Sequence, residues 1–166
     1  MRQPLFACLV TLLLTAFCLQ SAFAHGYKLG DLDIHHPWTR ATPAGADVAG
    51  GYLDITNNGQ TPDRLVSVEV VGVHMAMIHE MAMTDGVMTM RPLPNGLVVD
   101  PGETVTLKPG TFHVMMMGLS NPFSVGELVH ARLTFEKAGT IEVDFKVDEM
   151  GANPSATHDH SKPATN

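Results

Sequence analysis

Cysteine is almost missing from this chain of 166 residues, which has only Cys8 and Cys18, both inside one apolar stretch at the amino terminus. The remainder of the chain therefore forms no disulfide of its own and offers no cysteine nucleophile. It also cannot ligate a metal through a thiolate. Blue-copper centres and binuclear thiolate copper centres are excluded, because both need a cysteine sulfur.

Long hydrophobic runs are equally scarce, since only residues 5–19 form one. That run is short for a membrane span of about 20 residues. An arginine precedes it and the triplet Ala-Phe-Ala at 22–24 follows, as in a secretory signal peptide. We expect cleavage after Ala24 and an exported mature chain that starts at His25 and does not insert into the membrane. A retained anchor is an alternative; a lipoprotein attached through Cys18 is disfavoured, because a bulky phenylalanine precedes that cysteine.

Positive charge is in short supply as well. The chain has 10 Lys and Arg against 17 Asp and Glu. Without the arginine of the signal peptide the balance is 9 − 17 = −8, with His neutral. Because phosphate groups need positive charge, nucleic acid is not an expected partner. Nucleophile-elbow, zinc-protease, Walker and haem-attachment motifs are also lacking, so we predict no enzyme.

Helical periodicity is weak, and short runs of β-branched and apolar residues alternate with Gly, Pro and Asn-Gly turn signals. This pattern predicts an all-β sandwich or barrel, which we assign to residues 25–150. Residues 151–166 lack a large apolar side chain and are predicted to be a disordered tail. The candidate strands are 31–34, 48–56, 64–73, 77–83, 87–91, 97–99, 104–107, 113–119, 128–135 and 140–147.

Methionine and histidine are concentrated in "HMAMIHEMAMTDGVMTM", residues 74–90, which holds six Met and two His. The Asp85-Gly86 pair favours a two-residue hairpin turn. The facing residues would then be Met81 with Met90, Met83 with Met88, and Glu80 with Arg91. Because side chains alternate along a strand, His79 would share a face with these four methionines and lie diagonally from Met90.

A second cluster, "FHVMMMG", places His113, Met115 and Met117 on one strand face, with Val114 and Met116 on the other. If this strand lies beside the hairpin, two imidazoles and two thioethers converge. Such soft neutral donors favour Cu(I) over Zn(II), Mg(II) or Ca(II). The candidate ligands are His79, Met90, His113 and Met115, with Met81 and Met117 as further donors. Methionine is also a flexible core filler and a component of protein-binding surfaces, and both alternatives stay open here.

The remaining histidines suggest weaker sites. His25, as the first mature residue, could chelate Cu(II) through its amine and imidazole, which would suit a copper oxygenase. His158 and His160 could form a loose secondary Cu(II) or Zn(II) site in the tail, or belong to a solvated linker. We expect packing or surface roles for His35, His36, His74 and His130, and a core position for Trp38.

The arrangement of His79, Met90 and His113-x-Met115 resembles the motif H-x10-M-x21-H-x-M of the periplasmic copper chaperone family called PCuAC. The segments "HHPWTRATPAG", "IHEMAMTDGVMTMRPL" and "VDPGETVTLKPGTFHVMMMGL" are also similar, and the resemblance covers residues 30–147. One departure is that Met90 and His113 enclose 22 residues. The additional residue can be accommodated in the "LPNGLVVDPGE" loop, where insertions cost little, although Met88 and Met81 are alternatives to Met90.

The resemblance implies a cupredoxin-like β-sandwich, of the immunoglobulin-like Greek-key kind. It implies that Cu(I) is bound by His79, Met90, His113 and Met115 in the periplasm. It also implies copper delivery to the CuA centre of cytochrome c oxidase, alongside Sco-type proteins. Two alternatives remain beside the oxygenase: a copper resistance or buffering protein with the same ligands, and an immunoglobulin-like module whose methionine face binds a protein.

Overall fold

The structure, a computed structural model, describes residues 26–153. Within that range the chain forms eleven β-strands and no helix, so no helix is available there to cross a membrane. The strands are β1 Gly26–Leu29, β2 Leu32–Arg40, β3 Val48–Asn57, β4 Asp63–Val70, β5 Val73–Thr84, β6 Val87–Pro92, β7 Leu97–Val99, β8 Thr104–Leu107, β9 Phe112–Leu119, β10 Leu128–Phe135 and β11 Gly139–Asp148. The predicted signal peptide, His25 and tail residues 154–166 lie outside the described residues.

The strands form one hydrogen-bonded series, β6-β5-β9-β8-β3-β2-β11-β10-β4-β7, with β1 added beside β2. The pairings of β2 with β11 and of β8 with β9 are parallel, and the others are antiparallel. The series folds over on itself, so that β4 contacts β5 without pairing with it. Because β6 and β7 end the series without pairing with each other, the sheet does not close into a barrel, and the predicted all-β sandwich is confirmed.

The folded-over sheet forms the two layers of the sandwich, and the core lies between them. It contains the inward side chains of nearly every long strand. Ile34, Ile55, Leu133 and Phe145 are fully buried there. Trp38 is also buried, with its ring centroid 4.6 Å from that of Tyr52, which confirms its predicted core position. Alternation of buried and exposed residues along β10 and β11 is the period-two pattern expected of strands that cover a core on one face.

The predicted strands match the structure in most of the chain, with exceptions at two places. The predicted strand 64–73 runs through a turn at residues 71–72, where Gly72 has a φ of 82°, so β4 ends at Val70 and β5 begins at Val73, before the predicted 77–83. Near the amino terminus, β1 is additional and β2 is longer than residues 31–34. Pro37 has no backbone N–H, which argues against a continuing strand. The chain instead forms a bulge: His36 has a φ of 49°, and the register with β3 shifts between His35 and Trp38. Pairing resumes after the bulge, a device that single-residue propensities do not predict.

Candidate metal centre

The β5–β6 hairpin has the predicted register. Asp85 and Gly86 form its two-residue turn with φ values of 51° and 80°, and both positive values are those of a type I′ turn. The facing pairs are Met81 with Met90, Met83 with Met88, and Glu80 with Arg91. On β6, Pro92 lies opposite His79, so Met90 is the diagonal neighbour of that histidine, as predicted.

Strand β9 lies directly beside β5, on the side away from β6. The two strands are antiparallel, and His79 is the direct partner of His113. Further from the hairpin turn, Met77 faces Met115 and Met75 faces Met117. Directly opposed residues of an antiparallel pair point to the same side, so both histidines and the odd-numbered methionines of β5 and β9 lie on one surface. We call it the Met-His face: Met75, Met77, His79, Met81 and Met83 of β5, Met88 and Met90 of β6, and His113, Met115 and Met117 of β9.

The opposite face of β5 and β9 belongs to the core. Ile78, Val114 and Met116 are buried on that side, at 5%, 0% and 0% exposure. Of the methionines in these strands, Met116 therefore fills the core, whereas the others lie on the opposite face. Packing into the sandwich thus leaves the Met-His face unexplained.

The two histidines are close enough to share one ion. Their ring centroids are 5.8 Å apart, and the ring planes are nearly perpendicular at 77°. A metal–imidazole bond of about 2.0–2.1 Å places the ring centroid roughly 3 Å from the metal, so two rings on one ion have centroids at most about 6 Å apart. The observed separation fits that limit.

His79 has an unused polar atom. Its Nδ1 is buried, and no hydrogen-bond partner reaches it from the described residues. Leaving a buried polar atom unpaired costs about 1–3 kcal/mol. A bond from this nitrogen to a metal would offset that cost, so the observation supports a ligand role for His79.

His113 is 5% exposed although it lies on the Met-His face. Burial lowers the pKa of its imidazole, and the nearby His79 acts in the same direction, whereas the Thr111 carbonyl opposes the shift. Nδ1 of His113 lies 3.4 Å from that carbonyl oxygen. A proton on Nδ1 would be directed at the backbone acceptor, and Nε2 would be left as the metal ligand, as is common for metal-bound histidines.

The thioethers surround the histidine pair on two sides. Met90 lies diagonally from His79 on β6, and Met115 lies diagonally from it on β9. Met81 is the next residue of the face toward the hairpin turn, and Met117 lies further away, beyond Met115. The structure therefore brings the candidate ligands to one surface, with Met90 and Met115 at opposite ends of the set.

Met77 and Met75 were missed as members of the same face. On β5, Met77 is the residue that precedes His79 on the same face, and it lies directly opposite Met115 on β9. The period of two continues from His79 back to Met77 and Met75, and this signal could have placed both methionines on the same face.

Harder donors do not supply an alternative centre in this part of the molecule. Among residues 26–153, no three His, Cys, Asp or Glu side chains are grouped so as to hold a metal. His130 pairs with Asp144 on the surface, and His74 is exposed. Around the His79–His113 pair, the further side-chain donors on the same face are methionine sulfurs.

Comparisons with known proteins agree with this architecture. Residues 32–147 match the family described as LpqE-like. A relative from Leifsonia xyli subsp. xyli (strain CTCB07), Lxx21020, carries a lipoprotein name and is 29% identical over 134 residues, covering 80% of each chain.

Similar solved structures include PCuAC domains and a Cu(I)-bound protein. The apo PCuAC domain from PmoF1 is 34% identical, with a TM-score of 0.65, covering 75% of this chain and 99% of the domain. The copper-bound PCuAC domain from PmoF2 is 30% identical, with a TM-score of 0.64 and coverage of 75% and 98%. The Cu(I) form of DR1885 from Deinococcus radiodurans is 27% identical, with a TM-score of 0.58 and coverage of 79% and 85%. The fold is accordingly the cupredoxin-like β-sandwich of PCuAC domains, and this chain belongs to the LpqE-like family.

Proposed function

We propose that this protein binds Cu(I) on the Met-His face and carries it to an acceptor. The observation that carries the proposal is the direct pairing of His79 with His113, at 5.8 Å between ring centroids, inside a surface of thioethers. The two copper-bound structures among the similar proteins support copper as the metal. The assigned ligands are His79, Met90, His113 and Met115.

Charge explains why the bound ion is Cu(I). Two neutral imidazoles and two thioethers add no formal charge, so the site keeps the single positive charge of Cu(I). Divalent ions such as Zn(II) and Ca(II) prefer harder or charged donors. No thiolate is needed for binding, and a cysteine-containing acceptor would therefore hold the ion more firmly than this site does.

Transfer follows from the exposure of the thioethers. Met90 is 48% exposed, whereas His113 is 5% exposed. An incoming ligand would reach the metal from the hairpin side and displace Met90 first, while the histidines hold the ion until the last exchange. Copper keeps its oxidation state throughout. The thioethers release the ion without taking up a proton, whereas a cysteine thiol of the acceptor gives its proton to solvent as its thiolate binds the ion.

We assign the acceptor to the CuA subunit of cytochrome c oxidase or to a Sco-type protein, and the setting to the periplasm. The lipoprotein names of the family and of Lxx21020 support export. Cleavage after Ala24 and the secondary Cu(II) site at His158 and His160 stay predictions. We expect the protein to carry copper without catalytic turnover.

The test is a titration of the chain from His25 onward with Cu(I) under anaerobic conditions, against a competing chelator, followed by addition of a copper-free CuA domain. We expect tight binding at the histidine pair and passage of the ion to the CuA domain. Binding without passage would indicate a buffering or resistance protein. Tight Cu(II) binding that depends on His25, with little Cu(I) binding, would favour the oxygenase and contradict the proposal.

A further inference from the structure

The outer half of the β5–β6 hairpin extends beyond the rest of the sheet. Pairing of β5 with β9 ends at Glu80, and the last bond to that side joins the Met81 N–H to the Thr111 carbonyl oxygen. Past this point β5 pairs with β6 alone, and β6 is an edge strand whose residues are all exposed. Side chains on this part of the hairpin have no core to pack against.

Four methionines nevertheless occupy one face of this overhang. Met81 faces Met90 and Met83 faces Met88, so the two pairs are successive on the same side. We call this group the hairpin methionine square. Direct cross-strand neighbours have Cβ atoms roughly 5 Å apart, and successive residues on one face are about 7 Å apart along a strand. Methionine has three rotatable bonds, so the four sulfurs can turn toward one central point.

Exposure separates the square from ordinary packing. Met83 is 64% exposed, Met88 46% and Met90 48%, whereas core Met116 is 0% exposed. Large apolar side chains clustered in water without a partner mark a binding surface. All four members carry the same soft donor atom, which an apolar docking surface does not require.

Two features, one of the backbone and one of the side chains, fix the strand register that forms the square. The type I′ turn at Asp85 and Gly86 sets the register at its outer end. On the opposite face of the hairpin, Nε and Nη2 of Arg91 both donate to Oε2 of Glu80, at 2.8 and 2.7 Å. This pair crosses between the same two strands immediately below Met81 and Met90. Alternate pairings, which would scatter the thioethers over both faces, are disfavoured.

We propose that the hairpin methionine square is a second Cu(I) site, in which the ion is held by thioethers alone before it reaches the histidine pair. Met81, Met83 and Met88 hold the ion, and Met90 belongs to both sites. An ion would move inward by exchanging one thioether at a time through Met90 to His79, its diagonal neighbour. Copper remains Cu(I), no electron or proton is exchanged, and each bond that breaks is replaced by one that forms. The inference rests on the proposed function only in taking Cu(I) as the cargo.

The experiment follows the methyl resonances of the methionines and the ring resonances of the histidines by NMR while Cu(I) is added anaerobically to the chain from His25 onward. We expect the first equivalent to shift the signals around His79 and His113, and a second, weaker equivalent to shift Met83 and Met88. Met83→Leu combined with Met88→Leu removes two thioethers at nearly constant volume. It should weaken the second equivalent roughly tenfold or more and change the first by less than about threefold.

A control replaces an exposed methionine outside the Met-His face, Met150→Leu, which is 63% exposed in the wild type, and should leave the second equivalent unchanged. The inference is overturned if the wild type binds no second equivalent, or if the double variant at 83 and 88 binds it as well as the control does. Failure of the proposed function gives a different result. In that case the signals of Met83 and Met88 shift on addition of Cu(I), but those of the histidine pair do not.

Discussion

Strands β5 and β9 have two faces that use methionine in opposite ways. On the inner face, Met116 packs with Ile78 and Val114 and is fully buried. On the outer face, Met115 and Met117 are only partly buried and lie in line with His113. Three successive methionines therefore lie in two environments, and the side of the strand decides which. We therefore expect substitutions on the inner face to change folding and substitutions on the outer face to change copper binding.

The largest expected effect lies on the inner face. Met116→Ala leaves a cavity in the core, and such truncations cost about 2–5 kcal/mol of unfolding free energy. Met117→Ala, one residue along and partly exposed, should cost far less. Chemical denaturation of the copper-free variants measures both values. Equal losses for the two variants would remove the distinction between the faces.

Met115→Leu and Met90→Leu, made separately, should have the reverse effect. Leucine nearly conserves volume and typically changes stability by less than about 1.5 kcal/mol, but it supplies no donor atom. We expect Cu(I) affinity to fall at least about tenfold, equivalent to about 1.4 kcal/mol, with the denaturation midpoint nearly unchanged. Competition titrations decide the outcome, and unchanged affinity in both variants would contradict the ligand assignment.

The burial of His113 adds a smaller, pH-dependent effect. Its pKa in the folded protein is lowered, chiefly by desolvation, whereas the unfolded chain has a value of about 6.5. Below pH 6.5 the unfolded chain therefore binds more protons at this position, and the unfolding free energy of the copper-free protein should fall as the pH is lowered through that window. An NMR titration should place the midpoint of His113 below 6.5. A midpoint at or above that value would show that the ring is solvated.

The smallest effect is expected at the Glu80–Arg91 pair, which lies on the hairpin side that faces away from the thioethers. Its side chains are 25% and 64% exposed, so solvent screens the attraction. Glu80→Gln should change the unfolding free energy by about 0.2–1 kcal/mol. Cu(I) affinity at the histidine pair should stay the same, because neither charge is a ligand. A large loss of affinity would show that the two faces of the hairpin are not independent.

Local signals were enough to predict the hairpin and the division of faces. The Asp85-Gly86 turn set which methionines oppose each other, and the alternation in "FHVMMMG" separated Met115 from Met116. Both features depend on neighbours within a few residues, where turn chemistry and the strand period act directly.

Non-local pairing could not be derived in the same way. That β9 lies beside β5, with His79 directly opposite His113, depends on how distant strands assemble into the sheet. From the sequence, the convergence of the two histidines could be stated only on the condition that these two strands are neighbours. The burial of His113 and the bulge at His36 also arise from tertiary packing. The bulge overrode the local preferences around Pro37, and neither feature could be predicted from single residues.

The central claim is that imidazoles and thioethers from β5, β6 and β9 surround one monovalent copper ion. X-ray absorption at the copper edge, on protein loaded with one equivalent of Cu(I), tests it most directly. We expect both nitrogen and sulfur neighbours in the first coordination sphere, with the sulfur contribution reduced in Met115→Leu. A spectrum with nitrogen and oxygen neighbours alone would contradict it.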